Sequence, residues 1–237
     1  SGSMKDNTKD GKTSKIKALR KATQQFTDKL YNGSKETDTK VTLNVIGIGG
    51  WGAYEKHKLA ETKYGDCKTY LIDSYINTDA ETWISSEFIQ YYLRADGGTN
   101  IVSALKFANG IMNEEYGPEY GVNNFISDAD NYVVILTDGA NGPKANKPID
   151  KDKEGIKYSE ALRNSGAGIY AIYFEGQEKN YEDRKINSAG KADLNTILDG
   201  KYPLYEAGSA DSLNMAFDSI ASSINKIQSK GGEITAT

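Results

Sequence analysis

The chain has 237 residues and a formal net charge of −4, with 38% apolar and 26% charged residues, a balance that fits one globular α/β domain with a full core. Lysines and arginines are spread along the chain, which argues against a nucleic-acid or anionic-membrane surface, and no apolar run approaches the roughly 18 residues of a membrane span. A single cysteine, Cys67, excludes an internal disulfide, and a single histidine, His57, argues against a zinc site and a Ser-His-Asp triad.

Ser1-Gly2-Ser3-Met4 opens the chain, with no signal-peptide pattern, so it reads as a mature or excised piece. Ile16, Leu19, Ala22, Phe26 and Leu30 recur at three- and four-residue steps, which predicts a helix over 14–31, capped by Thr13 or Ser14 and ended by Asn32-Gly33. Residues 41–48 read as a strand that closes on Gly47, Gly49 and Gly50. Residues 51–66 show no period and suit a long loop or inserted hairpin. A strand over 69–77 and a helix over 80–94 follow. Asp96-Gly97-Gly98-Thr99-Asn100 is a Gly-rich turn into a helix that carries Ile101, Ala104, Leu105, Ala108 and Ile111.

After an irregular stretch at 116–130 comes Tyr132-Val133-Val134-Ile135-Leu136-Thr137-Asp138-Gly139. A continuous apolar run closed by a turn signal is the pattern of a strand buried on both faces of a parallel sheet. The remainder reads as a loop over 140–152, a helix over 153–164, a strand over 168–174, a loop-like stretch over 175–191 with a short helix to Leu198, a strand over 202–206 and a helix over 210–228. Residues 1–229 form the domain and 230–237 a linker or the start of a following segment. Strands that alternate with helices of this length imply a mainly parallel, doubly wound sheet with helices on both faces.

The residues that carry chemistry lie at three junctions: Ser1-x-Ser3, Thr99 after Gly97-Gly98, and Thr137-Asp138-Gly139. Open α/β sheets collect such junctions at the carboxyl edge of their strands. Taken singly, each has a plain reading: a vector remnant, a helix entry and an Asp-Gly turn. Together, the hydroxyls of Ser1, Ser3 and Thr99 with the Asp138 carboxylate are hard oxygen donors that suit Mg²⁺, with Mn²⁺ or Ca²⁺ as alternatives. No phosphate-binding loop or dinucleotide fingerprint is present, and no nucleophile has a base in view.

In this order the motifs Ser-Gly-Ser-Met, Gly-Gly-Thr-Asn and Leu-Thr-Asp-Gly resemble a von Willebrand factor A domain with its metal-ion-dependent adhesion site, and the resemblance spans nearly the whole chain. It implies a Rossmann-like fold and a divalent cation held by Ser1, Ser3, Thr99 and Asp138. Gly98, Asn100, Gly139 and Asn141 are the adjoining ligand-binding positions. The function it implies is adhesion rather than catalysis, with the cation taking a carboxylate from a protein ligand such as a host surface or matrix protein. The inserts at 51–66 and 116–130 resemble those of A domains on Gram-positive surface and pilus-tip proteins, which implies a cell-surface location. An A domain of an intracellular chelatase or ATPase assembly would use the same motifs, and a flavodoxin-like enzyme is a third, remoter reading.

The family motif begins with an aspartate two positions before Ser1, on a first strand that would lie between 41–48 and 132–137. Neither is among these residues. The expectation is that a separate strand, from a complementing peptide or an upstream segment, fills the slot by β-augmentation. A Lys–Asn isopeptide bond could lock it, with Asn44 as the candidate acceptor; the plain alternative for Asn44 is a hydrogen-bonded core amide. Asp138→Ala is expected to weaken ion binding with little loss of stability.

Overall fold

A computed structural model describes residues 2–37, 42–48, 61–64, 67–76, 99–115, 130–142 and 147–231. The helix expected over 80–94, most of the irregular stretch at 116–130, and Ser1 and Gly98 lie outside them. Within the described residues the strands are β1 (Thr42–Ile48), β2 (Glu61–Tyr64), β3 (Cys67–Ile76), β4 (Tyr132–Thr137), β5 (Gly168–Phe174) and β6 (Leu204–Ala207). The helices are α1 (Lys15–Thr37), α2 (Ile101–Met112), α3 (Lys153–Asn164), α4 (Tyr181–Leu198) and α5 (Ala210–Gly231).

The protein is a mixed α/β, Rossmann-like fold. β4, β5 and β6 form a parallel sheet in that order, with helical crossovers through α3 and α4. β1, β3 and β2 form an antiparallel sheet. The link from β2 to β3 is too short for a parallel crossover, so these strands pair as a hairpin; β2 falls in the segment read as a loop or inserted hairpin, and β3 covers the strand expected over 69–77. α2 packs against this second sheet.

Two apolar layers flank the parallel sheet. On one face, Ala18, Ala22, Phe26 and Leu30 of α1 meet Leu213, Phe217, Ile220 and Ile224 of α5 over Ile172 and Phe174. The Phe26 and Phe217 rings lie 5.1 Å apart. On the other face, Ile101, Val102 and Leu105 of α2, Leu162 of α3, and Leu194, Ile197 and Leu198 of α4 cover Ile169, Ala171 and Tyr173. β5 lies at the centre. β4, which the apolar run suggested would be enclosed, is half-buried at four of its six residues. β5 pairs with one edge of β4, and no described strand pairs with the other.

Three boundaries differ from those expected. α1 runs through Asn32-Gly33 to Thr37, because Gly33 sits against α5, where an added Cβ would lie 2.1 Å from Asn225 Nδ2. The stretch read as a loop over 175–191 is helical from Tyr181. The supposed linker at 230–231 is the last turn of α5. No helix among the described residues is long and apolar enough to cross a membrane.

Candidate functional site at the carboxyl edge of the parallel sheet

β4 delivers Asp138 to the carboxyl edge, and the Thr137 side chain shapes the turn that follows. The Thr137 hydroxyl donates to the Gly139 carbonyl at 3.0 Å and accepts from the Gly139 N–H at 3.2 Å. Asp138 is 3% exposed. Its Oδ2 accepts from the Lys15 ammonium at 2.6 Å. Its Oδ1 is buried, with no hydrogen-bond partner among the described residues.

Thr99 meets this turn from the entry to α2. A Cβ on Gly139 would sit 3.0 Å from Thr99 Oγ1, so the bare α-carbon at 139 is what lets the Thr99 hydroxyl approach. The Gly142 N–H donates to the Thr99 carbonyl at 2.9 Å. Asn141 ties the two loops together: its Oδ1 accepts from the Ile101 N–H at 2.9 Å, and its Nδ2 donates to the Lys147 carbonyl at 2.9 Å. Asn100 caps α2, its Oδ1 accepting from the Ser103 N–H at 2.9 Å. Both asparagines are fully buried, so each shapes the rim of the site from beneath.

Under this rim stands Asp193 of α4. Its two carboxylate oxygens accept separately from the Asn141 N–H at 2.7 Å and the Ile149 N–H at 2.8 Å. Burial pushes its carboxyl above the usual range, opposed by those two N–H bonds. Tyr173 lies on the face of the sheet that α4 covers. Burial pushes its phenol far up, and the Asp138 charge adds to the shift. Its hydroxyl donates to Asn187 Oδ1 at 2.8 Å.

The N-terminal segment reaches the same edge. Ser3, in a 3-10 turn over Gly2–Lys5, accepts the Asp6 N–H on its carbonyl at 3.0 Å. The Asp6 carbonyl in turn accepts the Lys15 N–H at 2.9 Å. Thr8 bridges to Gly176, and the Lys9 ammonium donates to Glu175 at 2.6 Å. Glu175 also pairs with Lys191, which reaches Glu206 at 2.6 Å. Burial pushes the Glu175 carboxyl up, but Lys191 and Lys9 outweigh it and hold the group below its ordinary value.

Thr99, Asp138 and Gly139 are thus neighbours, and Ser3 is held on the segment that leads into Lys15. Asn44 lies on β1 opposite Ser74, and the surroundings of its side chain fall outside the described residues. Sequence reasoning did not single out Lys15, Asp193 or Gly190. A lysine in the first turn of a helix, the wrong end for the dipole, was a usable signal for Lys15. Asp193 and Gly190 fall on the helical face that carries Leu194 and Ile197, where a carboxylate and a glycine are out of pattern.

As a cation site, the donor set fits in chemistry: a buried carboxylate oxygen of Asp138 with no partner among the described residues, and a threonine hydroxyl against the adjoining Gly139. Among the described residues no group of three or more His, Cys, Asp or Glu side chains is placed to hold a metal ion, so an ion here would depend on hydroxyls and Asp138. Lys15 already lends a positive charge to that carboxylate.

No family model matches the chain, and no curated protein matches it in sequence. Solved structures of pilus proteins share its fold. One is the pilus adhesin SpaC from Lactobacillus rhamnosus GG, with a TM-score of 0.61 at 16% identity over 96% of this chain and 30% of that one. SpaC in its open conformation gives 0.57 at 14% identity over 90% and 28%. The PilB minor pilin from Streptococcus sanguinis gives 0.59 at 19% identity over 96% and 60%. The chain therefore spans less than two thirds of each of these neighbours, and at such identities the likeness is one of fold.

Proposed function

We propose that the chain is a von Willebrand A-type binding module of a bacterial surface or pilus protein. It acts by adhesion rather than catalysis, through a divalent cation at the carboxyl edge of the sheet. Asp138 Oδ1 and the hydroxyls of Thr99, Ser3 and Ser1 would supply its oxygens, and a carboxylate of a protein ligand would complete its coordination. The observation that carries this reading is the buried, partnerless Asp138 Oδ1 next to the turn that admits Thr99 Oγ1. The fold shared with a pilus adhesin and a minor pilin supports the surface setting.

The same reading has the slot beside β4 filled by an added parallel strand whose aspartate arrives two positions before Ser1. β1 and β4 each show one unpaired edge among the described residues, which supports it. Asn44 is the proposed acceptor should a lysine of that strand form an amide, with ammonia released.

Binding of the chain to immobilised matrix proteins, with Mg²⁺ and with EDTA, tests the module. Adhesion lost in EDTA and restored by Mg²⁺ is expected. Adhesion indifferent to EDTA, and unchanged in Thr99→Ala, would refute a metal-dependent site.

A further inference from the structure

Lys15 is the feature that the reading above leaves unexplained. Its side chain is 3% exposed and that of Asp138 is 1% exposed. A buried ammonium is costly unless paired, and the first residue of α1 puts it at the positive end of the helix dipole. Several contacts nonetheless keep it there. The Lys15 N–H is held by the Asp6 carbonyl. The loop from Asp6 to Ser14 is stitched to the sheet by the Thr8–Gly176 bridge. Gly176 leaves room for the ammonium, since a Cβ there would lie 3.0 Å from Nζ. The carboxylate is divided: Oδ2 serves Lys15, and Oδ1 is buried with no partner among the described residues.

We propose that Lys15 is a built-in competitor for the divalent ion. Its ammonium balances Asp138 when no ion is bound, and an ion at Oδ1 must work against that charge or displace it. Lys15 therefore sets the affinity of the site and couples ion binding to the 6–15 segment. This rests on the cation-site reading of the preceding subsection. With Lys15 in place the two side chains sum to zero charge, so an incoming divalent ion gains little attraction. Without the ammonium the same oxygens carry one negative charge.

The test is Mn²⁺ titration of the whole chain at fixed pH, with free Mn²⁺ read by electron paramagnetic resonance. Lys15→Met keeps an unbranched apolar stem, one atom shorter, and removes the charge. It should bind Mn²⁺ about tenfold or more tighter than wild type, the scale expected of one charge acting within a few ångströms. Lys15→Arg should bind no tighter than wild type. Asp138→Asn should abolish binding in either background. If Lys15→Met binds equally or more weakly while Asp138→Asn still abolishes binding, the competitor role is overturned and the ion site stands. If neither wild type nor Lys15→Met binds Mn²⁺, the ion site itself falls. Should Lys15→Met be unfolded in EDTA, Mn²⁺ at concentrations that saturate wild type should fold it, with NaCl of equal ionic strength ineffective; a chain that stays unfolded in Mn²⁺ overturns the proposal.

Discussion

Asp138 holds a lysine and offers an oxygen at the same time, so removing it has two effects. The expectation that Asp138→Ala would leave stability nearly intact does not survive the burial of Lys15 against it. Taking one partner from a buried ion pair costs about 3–5 kcal/mol, and urea unfolding of Asp138→Ala in EDTA should show a loss on that scale. Asp193 makes a second prediction. Its two oxygens each accept a different backbone N–H, so Asp193→Asn turns one acceptor into a donor facing a donor. A loss of about 1–3 kcal/mol is expected, with faster amide exchange at Asn141 and Ile149 as the local mark. Glu175 yields a pH prediction. Its folded pKa lies below the ordinary 4.5, so its contribution to stability is complete above that value and disappears as pH falls through the folded one. Glu175→Gln should therefore flatten the acid limb of stability below about pH 4.5; an unchanged limb would mean that the Lys9 and Lys191 pairs are too solvated to matter. At this scale the sequence pointed to Thr99, Asp138 and Gly139, which the fold makes neighbours, because turn chemistry is local. Lys15, Asp193 and Tyr173 were hidden, since their roles depend on contacts across 123, 52 and 14 residues.

At the scale of elements, apolar periodicity was a sound guide wherever the buried face is apolar. β5 occupies the range its pattern predicts, 168–174. It failed at α4, whose buried face includes Asn187, Gly190 and Asp193, so the helical period is present but written partly in polar letters. The start of α4 was nonetheless legible in retrospect, because Asn180 and Asp183 form a reciprocal capping box. At Gly33, packing against α5 overrode the stop signal. Gly190 shows the same dominance of packing over propensity. Alanine in a helix interior is favoured over glycine by roughly 1 kcal/mol. Here, however, a Cβ would lie 2.5 Å from Tyr173 Cε2 and 2.9 Å from the Gly139 carbonyl oxygen. One of these is backbone at the site itself, so α4 or the Asp138 turn must move. Gly190→Ala is expected to lower the urea midpoint and to weaken Mn²⁺ binding together. A gain in stability with binding intact would mean that α4 has slack at this contact.

For the whole molecule, the decisive feature is the edge of β4 away from β5. Its inner faces are covered, with Tyr132, Val134 and Leu136 packed toward the α1–α5 layer and Val133 toward the opposite layer, where Ile135 is buried. Its hydrogen-bonding edge away from β5 has no strand partner among the described residues, although the apolar run reads as an interior strand. In a parallel sheet the N–H and C=O of a given residue point to the same neighbour, and successive residues alternate between neighbours. Hydrogen exchange on the isolated chain should therefore divide β4 in two. Alternate residues bonded to β5 should be protected, and those between them should exchange quickly. A synthetic strand rich in β-branched residues and ending in an aspartate, with the register that places it two positions before Ser1, should slow the second set and raise the melting temperature. Strand addition works through main-chain bonds with side chains in alternate pockets, so a scrambled peptide of the same composition should protect them far less. Uniform protection of all six β4 residues in the isolated chain would mean that its edge is already covered, and the added-strand reading would then be lost without touching the proposal of a cation at Asp138.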